Sequence, residues 1–411
     1  MSPTVSPSNA VPARNVANIY TFQALVNASL WMPIWVVFLN QDAGLTLSEV
    51  FLIAGMGWLI QAIGEVPSGA ISDAYGRRAT LVAGGLVLAL GLFLLTVLTG
   101  FAGLAVAYVF WAIGNALISG SDTALLYDSA VSLGRASGFS AMASRSFQIL
   151  LAAQAVGSVA GGLLGMIDLR LPILATVVLT LAAVVVMLRV AEPPRHDAET
   201  LTWSQTLSAA IADVRCRPRL LALIVYGALL SGTAFFVPFV LLQPRMEEQG
   251  VPIGWLGVLF TVLRLAALLG TSYGPRLISA ASLRTWLWGI PALMVVGLLW
   301  VADSQVWWVT LAAMLFVAAV NAAIRPEITA LLNRQVSSAV RATVLSLQSL
   351  VMTVFIALLH PVVGAVSDSP GGIPGAFALL ALLSAIPALL AIPLQPVTTG
   401  RPAIPPGPAG D

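Results

Sequence analysis

Six ionisable side chains lie inside long apolar stretches of this sequence, where charge is otherwise rare. They are Glu65, Asp122, Glu327, Arg145, Arg264 and Arg325. A charged group that faces lipid is costly, so such residues face protein or a water-filled path and often carry protons or bind substrates. Their signs balance, as mutual ion pairing would require. These residues therefore indicate either proton exchange and ligand binding or a set of structural pairs.

The composition explains why so few charges occur. Charged residues make up 9% of the 411 residues, hydrophobic residues 59%, and the mean hydropathy is +0.95. A soluble domain carries about 25% charged residues. The sequence thus predicts an integral membrane protein, long enough for roughly a dozen spans of about 20 residues. The net charge of +2 gives no reason to expect a nucleic-acid partner.

No catalytic constellation is evident in the sequence. We find no metal-ligand spacing, no nucleophile with an oriented base and no glycine loop suited to phosphate. Cys216 is the single cysteine, which excludes an intramolecular disulfide and a zinc cluster. We therefore expect no enzyme activity, no cofactor and no metal.

Twelve apolar runs predict twelve transmembrane helices in two groups of six. The first six runs lie at about 18–39, 48–71, 79–99, 103–127, 138–166 and 171–190. The second six lie at about 220–242, 253–274, 285–302, 305–332, 342–366 and 372–394. We expect an N-terminal bundle over residues 17–190 and a C-terminal bundle over residues 219–395.

Polar segments flank and join the two bundles. Residues 1–16 and 396–411 are predicted to be disordered cytoplasmic tails. The linker, residues 191–218, contains apolar residues at helical spacing from Trp203 to Val214. Two interpretations remain open for it: an amphipathic helix on the inner membrane surface, or a packed connector between the bundles.

The two halves match each other at a constant offset of 206 residues. Asn115 falls on Asn321, Tyr20 on Tyr226, and two arginines fall on arginines. Parallel six-helix repeats related by an axis along the membrane normal are an arrangement of secondary transporters. The predicted fold is therefore all-α, with twelve transmembrane helices in two parallel six-helix repeats.

Polar residues avoid every third run. The third, sixth, ninth and twelfth runs have no ionisable residue in their interiors, so we expect them to face lipid and the others to enclose a cavity. Candidate cavity residues are Tyr20, Asn27, Asn115, Arg145, Tyr226, Arg264, Asn321, Arg325, Glu327 and Gln348.

Three of the six ionisable residues in the apolar stretches suggest specific roles. Glu65 and Asp122 are candidates for proton coupling, or for structural pairs with an arginine such as Arg145. Arg264, which stands where the first repeat has Trp58, can meet an anionic substrate or a carboxylate on a neighbouring helix. His360 is expected to be a structural histidine.

Arginine and tryptophan placement predicts the orientation. With the N-terminus inside, fourteen of the 19 basic residues are cytoplasmic, and only Arg170 and Arg245 are outside. Positive charge favours the cytoplasmic side, so both termini are expected in the cytoplasm. Trp31 and Trp35 are expected near the outer interface, as are Trp307 and Trp308.

The segment from Gly69 to Leu81 resembles a known family signature. Its Gly-x-x-x-Asp-x-x-Gly-Arg-Arg pattern between the second and third runs is similar to the loop motif of the major facilitator superfamily of secondary transporters. The resemblance implies a conformational latch made of Gly69, Asp73, Gly76, Arg77, Arg78 and Asp128.

The resemblance also implies how this latch works. Asp73 would lie against the start of the eleventh helix, and Arg77 would pair with Asp128 to stabilise the outward-facing state. Ala74 replaces a usual basic residue, and Ser279 replaces the acid in the second repeat. The latch is therefore expected only in the first half and in a weakened form.

Three functions are compatible with these observations. The first is proton-coupled export of an amphipathic drug-like compound or secondary metabolite by a monomer in the bacterial cytoplasmic (inner) membrane. The second is proton-coupled uptake of a small polar or anionic nutrient, with Arg264 as the anion contact. The third is a non-transporting sensor or scaffold. Gly157 to Gly162 resembles the antiporter motif but has Ser158 in place of its proline, so direction and substrate stay open.

Overall fold

The described part of the chain is helical throughout. A computed structural model describes residues 14–193, 217–279, 283–336 and 341–391. The main helices of the first half are α1 (Arg14–Asn27), α2 (Leu47–Tyr75), α3 (Arg77–Val97), α4 (Gly100–Ile118), α5 (Phe139–Gly165) and α6 (Leu171–Met187). Those of the second half are α7 (Pro218–Phe236), α8 (Ile253–Ser279), α9 (Leu283–Asp303), α10 (Trp307–Gln335), α11 (Arg341–Ser367) and α12 (Gly372–Leu390).

These helices are consistent with twelve membrane spans. In the described ranges, ten helices are long and apolar enough to cross a membrane, and α6 is a shorter apolar helix. The remaining span is α1 with the turns that follow it. We call the end of the bundle that holds Arg14 and Ala391 the terminal end, and the other end the opposite end.

Large exposed hydrophobic side chains lie on every third helix: Leu90 and Phe93 of α3, Val178 and Val185 of α6, Val296 and Leu299 of α9, and Leu382 and Leu389 of α12. They also lie on other helices, for example at Ile63 of α2, Val156 of α5 and Leu358 of α11, so lipid contact by every third helix alone stays a prediction. These surfaces suit contact with lipid, because lipid tails are as apolar as these side chains.

The first span is broken, so the prediction of one helix over 18–39 is wrong. α1 ends at Asn27, and helical structure resumes only with the turn Trp35–Val37 and the π-helical turn Phe38–Asp42. Pro33 lies in the gap, where it cannot donate a helical hydrogen bond. The amide of Leu30, which lies beyond the end of α1, donates to Oγ1 of Thr176 on α6, at 3.1 Å.

The fourth span is also interrupted, which corrects the prediction of one helix over 103–127. α4 stops at Ile118, and a short helix runs over Ser121–Ser132. Gly120 joins the two with a φ of +77°, a conformation that glycine adopts without steric cost. This turn places the amide end of the short helix beside α1.

Several predicted boundaries fall near the limits of the described residues. α1 begins at Arg14, so residues 14–16 of the predicted tail are helical. Most of that tail, the proposed linker helix and residues 396–411 lie outside the described ranges. The predicted turn at Gly76 is present with a φ of +103°, and it alone separates α2 from α3.

Close helix contacts join the two halves. α5 packs against α8 so tightly that a Cβ on Gly257 would lie 1.9 Å from the carbonyl oxygen of Ser158. α2 packs against α11, where a Cβ on Gly55 would lie 2.6 Å from the carbonyl oxygen of Ala357. Only glycine allows backbones to approach this closely.

The chain continues from α7 through the π-helical turn Val237–Leu241 and the helix Leu242–Glu248, which we call the continuation of α7. Hydrogen bonds to this continuation hold the broken first span. The Gln243 side chain is fully buried; its Oε1 accepts from the Val36 amide at 2.9 Å, and its Nε2 donates to the Met32 carbonyl at 3.0 Å. The indole of Trp35 donates to the Phe239 carbonyl at 2.8 Å. The interrupted backbone near the opposite end is thereby satisfied across the two halves.

Candidate substrate site

A cavity lined mainly by aromatic side chains lies between the halves, and we call it the aromatic cavity. Its volume is about 30 Å³. The first half supplies Trp31, Met32, Trp35, Ala54, Trp58, Tyr108 and Trp111, and the second half supplies Phe235, Phe239, Val240 and His360. Both halves therefore build one apolar site, which a rocking motion of the halves would take apart.

The rings of the cavity hold one another in place. Trp31 meets Tyr108 and Trp111 edge-on, with ring centroids 6.1 Å apart in both pairs. Phe235 and Phe239 are stacked at 4.7 Å with 15° between their planes. Edge-to-face and offset-stacked pairs are the favoured aromatic geometries, so the walls are rigid surfaces suited to a flat ligand.

His360 lies among these rings and is fully buried. Its Nδ1 is 2.7 Å from the carbonyl oxygen of Ile356, while its Nε2 has no hydrogen-bond partner. The expectation of a purely structural histidine therefore accounts for only one of its two ring nitrogens.

Sequence reasoning misplaced two of the aromatic residues. Trp31 and Trp35 were expected at the outer interface, but only 2% and 5% of their surfaces are exposed. That expectation is wrong because the break after Asn27 turns both rings into the protein. Trp307 and Trp308, at the start of α10, are exposed as interfacial residues would be.

Arg264 lies in a second pocket, between α5 and α8. Its Nη2 donates to Oε1 of Gln154 at 2.9 Å, and its guanidinium carbon is 5.3 Å from the ring centroid of Phe239. The pocket has a volume of about 50 Å³ and is otherwise lined mainly by apolar side chains. Arg264 forms no ion pair with a described residue, so the expected carboxylate partner is not found there.

The six ionisable residues of the apolar stretches do not pair with one another within the described ranges, contrary to the balance of their signs. The ion pairs found there are Arg77–Asp128, Arg170–Asp42 and Arg245–Glu248. Arg145 and Arg325 are exposed, and Glu327 is half-buried. Arg325 and Gln348 line a pocket of about 240 Å³ in the second half.

Asp122 belongs to a polar chain that joins three helical segments. Its Oδ2 accepts from Nε2 of Gln23 on α1 at 2.9 Å, and Oε1 of Gln23 accepts from Oγ of Ser146 on α5 at 2.7 Å. Glu65 is exposed and has a longer contact, 3.3 Å, with Oγ of Ser119. Of the two coupling candidates, Asp122 has the better-defined surroundings.

The signature residues lie together at the terminal end. Arg77 pairs with Asp128 and donates to the carbonyl of Ala124. Gly69 and Asp73 are exposed on α2. The start of α11, against which Asp73 was expected to lie, adjoins residues outside the described ranges, so that contact stays a prediction.

One partner of the signature was missed from the sequence. The carboxylate of Glu192 accepts from the backbone amides of Arg77 and Arg78, both at 2.8 Å. Arg78 also donates to the Leu188 carbonyl at 2.9 Å. An acid at a helix N-terminus is favoured by the unpaired amides there, so Glu192 fixes the start of α3 to the chain after α6.

Other cavity candidates make local structural contacts. The hydroxyl of Tyr226 is buried and donates to Leu287 on α9, and that of Tyr20 donates to Met142 on α5. Asn27 and Asn115 donate to carbonyls one turn earlier in their own helices. The buried Oδ1 of Asn321 has no partner. None of these side chains lines the aromatic cavity.

Comparison with known proteins then identifies the family. A family model described as Major Facilitator Superfamily matches residues 17–317. The chain belongs to the major facilitator superfamily. A relative from Bacillus subtilis, the uncharacterised MFS-type transporter YxaM, is 23% identical over 262 residues. The match covers 61% of this chain, and the chain spans 63% of the length of that relative.

Solved transporters of this superfamily share the fold. The nucleoside transporter NupG has a TM-score of 0.77 and 13% identity, covering 93% of this chain and 99% of NupG. A D-xylose-proton symporter has a TM-score of 0.67 and 17% identity, covering 93% and 97%. At these identities the likeness shows the fold alone. The family match and the long apolar helices together show a multi-pass membrane protein of this superfamily.

Proposed function

We propose that this major facilitator protein exports an amphipathic compound in exchange for protons by alternating access. The aromatic cavity carries this proposal: both halves build it, and its lining is almost wholly apolar. Binding such a compound removes apolar surface from water, which is the main favourable term for ligands of this kind. The protein acts as a monomer in the bacterial inner membrane, with its terminal end in the cytoplasm.

Asp122 carries the proton in this scheme, and Glu65 is the second candidate. A charged carboxylate is a stronger acceptor than a neutral carboxyl group. Protonation of Asp122 therefore weakens its bond from Gln23 and loosens the link from the short helix through α1 to Ser146 on α5. The helices of the first half then shift relative to one another as the proton binds.

The latch at the terminal end biases the two states. Arg77 and Asp128 hold α3 to the short helix that follows α4, and Glu192 adds the chain after α6. We propose that Asp73 joins this group to the start of α11, so that the latch favours the outward-facing state.

Uptake by symport is the second candidate function. Arg264 supports it, because this half-buried cation has a neutral amide as its described partner and so can accept an anionic group. The structural likeness to a nucleoside transporter and to a D-xylose-proton symporter adds fold-level support.

The direction of proton movement separates the two candidates. Proteoliposomes that enclose a pH-sensitive dye receive planar aromatic compounds, small sugars or small carboxylates from outside. In an antiporter, entry of the substrate drives protons out and the lumen becomes alkaline; in a symporter the lumen becomes acidic. We expect an alkaline shift with an aromatic compound, and an acidic shift would support symport.

Asp122→Asn tests the coupling site in the same assay. We expect it to abolish the proton signal, since an amide side chain cannot take up and release a proton as a carboxylate does. Asp303→Asn is the matched control, because Asp303 is exposed at the opposite end, and it should leave the signal unchanged. Proton movement that persists in the Asp122→Asn, Glu65→Gln double variant would exclude both coupling assignments.

A further inference from the structure

We infer that the aromatic cavity binds a neutral, planar aromatic molecule that donates a hydrogen bond, from a ring N–H or a phenolic O–H, to Nε2 of His360. The inference rests on the proposed function, because it names the substrate class of the same cavity. It combines the tautomer of His360, the shape of the walls and the charges around them.

The tautomer follows from the contact with Ile356. A carbonyl oxygen only accepts, so Nδ1, which is 2.7 Å from it, must donate and carry the proton. In a neutral imidazole the other nitrogen is then an acceptor. Protonating Nε2 as well would place a second N–H in surroundings that offer it no acceptor. His360 therefore offers a lone pair and requires a donor from the ligand.

His360 lies in the wall of the cavity, and its Nε2 is buried there without a hydrogen-bond partner. The side chain lines the cavity, is fully buried and is surrounded by the rings of Phe51, Phe235 and Phe236. None of these rings accepts or donates a conventional hydrogen bond. A buried acceptor left unpaired is unfavourable, so a ligand that supplies the missing donor binds selectively.

The walls favour a flat molecule. Trp58 stands at 88° to Phe235, and Phe235 is stacked on Phe239. The cavity has a volume of about 30 Å³ in this state, well below the range of about 300–1,000 Å³ for small-molecule sites. A ligand of one or two fused rings therefore requires the walls to move apart.

The charges around the cavity disfavour an ionised ligand. No acidic side chain lines it, so an ammonium group would lose its hydration without a carboxylate in return. The guanidinium of Arg264 already lies 5.3 Å from the Phe239 ring, on the side facing the second pocket, and this repels a second cation. A neutral ring with one donor fits both conditions.

Two probes that differ only in the donor test the inference. The full chain, purified in detergent micelles, is dialysed to equilibrium against 2-naphthol or 2-methoxynaphthalene, and protein-free micelles give the partitioning background. We expect 2-naphthol to bind about tenfold more tightly, as one hydrogen bond to a buried acceptor implies. Equal binding of the two probes to the unaltered protein would overturn the inference, and this comparison needs no variant to fold.

Variants locate the effect on one side chain. His360→Phe keeps a ring and removes the acceptor, so the preference for 2-naphthol should fall to about one. Trp58→Leu should weaken both probes by the same factor and keep their ratio. Trp308→Phe, at an exposed position on α10, should change neither affinity. A preference that survives in His360→Phe would contradict the assignment.

The outcome is separable from that of the proposed function. Displacement of 2-naphthol by D-xylose would indicate a polyol site and overturn the inference, while proton-coupled export could still hold. Selective binding of 2-naphthol without any proton movement would support the inference and contradict proton-coupled export.

Discussion

Trp58 and Arg264 occupy equivalent positions in the two repeats, yet one is aromatic and the other is cationic. Trp58 packs edge-on against Phe235 at 5.2 Å, and Arg264 lies 5.3 Å from the ring of Phe239. Phe235 and Phe239 are stacked between them. The four side chains form one column, which we call the central column, from α2 through α7 and its continuation to α8.

The difference between the two ends of this column shows what each part of the sequence contributes. The repeat fixes where the side chains stand, because both belong to the second helix of their six-helix unit. The residue type then decides the chemistry: rings enclose the aromatic cavity around Trp58, and a cation bonded to Gln154 occupies the pocket around Arg264. A duplicated framework thus carries two pockets of different chemistry.

The largest effect on the column should come from separating α5 from α8. A Cβ on Gly257 would lie 1.9 Å from the carbonyl oxygen of Ser158, and backbone cannot rotate away as a side chain can. Gly257→Ala should therefore push the helices apart, lengthen the bond from Arg264 to Gln154, and destabilise the protein by about 1–3 kcal/mol. Thermal unfolding of the purified chain in detergent measures the loss.

Gly289→Ala is the matched control for this substitution. Gly289 lies on α9, where an added Cβ meets nothing within 4 Å. Alanine there should leave stability unchanged or raise it by about 0.4–1 kcal/mol, since it restricts the unfolded chain. Equal effects of the two substitutions would show that the α5–α8 contact does not position the column.

The sequence predicted the framework of this column better than its chemistry. Hydropathy located the spans, and the tolerance of glycine for positive φ located the turn at Gly76. The break after Asn27 was missed, although Pro33 is visible in the sequence, because a hydropathy window averages over the whole span. That omission also misplaced Trp31 and Trp35, whose burial depends on the break.

Other parts of the site depend on contacts that no local pattern contains. The partners of Arg264 and Trp58 lie more than 100 residues away along the chain. Glu192 binds the start of α3 only because α6 brings it there. Balanced charges suggested ion pairs, but the sequence holds no information on depth or distance, and Arg264 bonds to an amide instead.

Removing the charge of Arg264 should show whether this end of the column contributes to stability. A half-buried charge without an ionic partner among the described residues contributes desolvation cost and little Coulombic gain. Arg264→Met, which keeps the length of the side chain, should therefore leave the free energy of unfolding unchanged or raise it by about 1 kcal/mol. Arg334→Met, at an exposed position near the end of α10, is the control. If Arg264→Met instead lowered the free energy of unfolding by about 1 kcal/mol, Arg264 would be a structural residue.

The last effect expected, similar in size to that of Arg264→Met, is the coupling within the column itself. Trp58 and Phe235 meet at 88° with their centroids 5.2 Å apart, and an aromatic pair of this geometry contributes about 0.5–1.5 kcal/mol beyond the area that it buries. A double-mutant cycle with Trp58→Leu and Phe235→Leu should recover a coupling energy of that size from the unfolding free energies. The same cycle between Trp58 and Trp300, an exposed residue on α9, should give a value near zero. If the two cycles agree, the rings are neighbours without mutual stabilisation, and the column is a consequence of the repeat rather than a feature that holds the halves together.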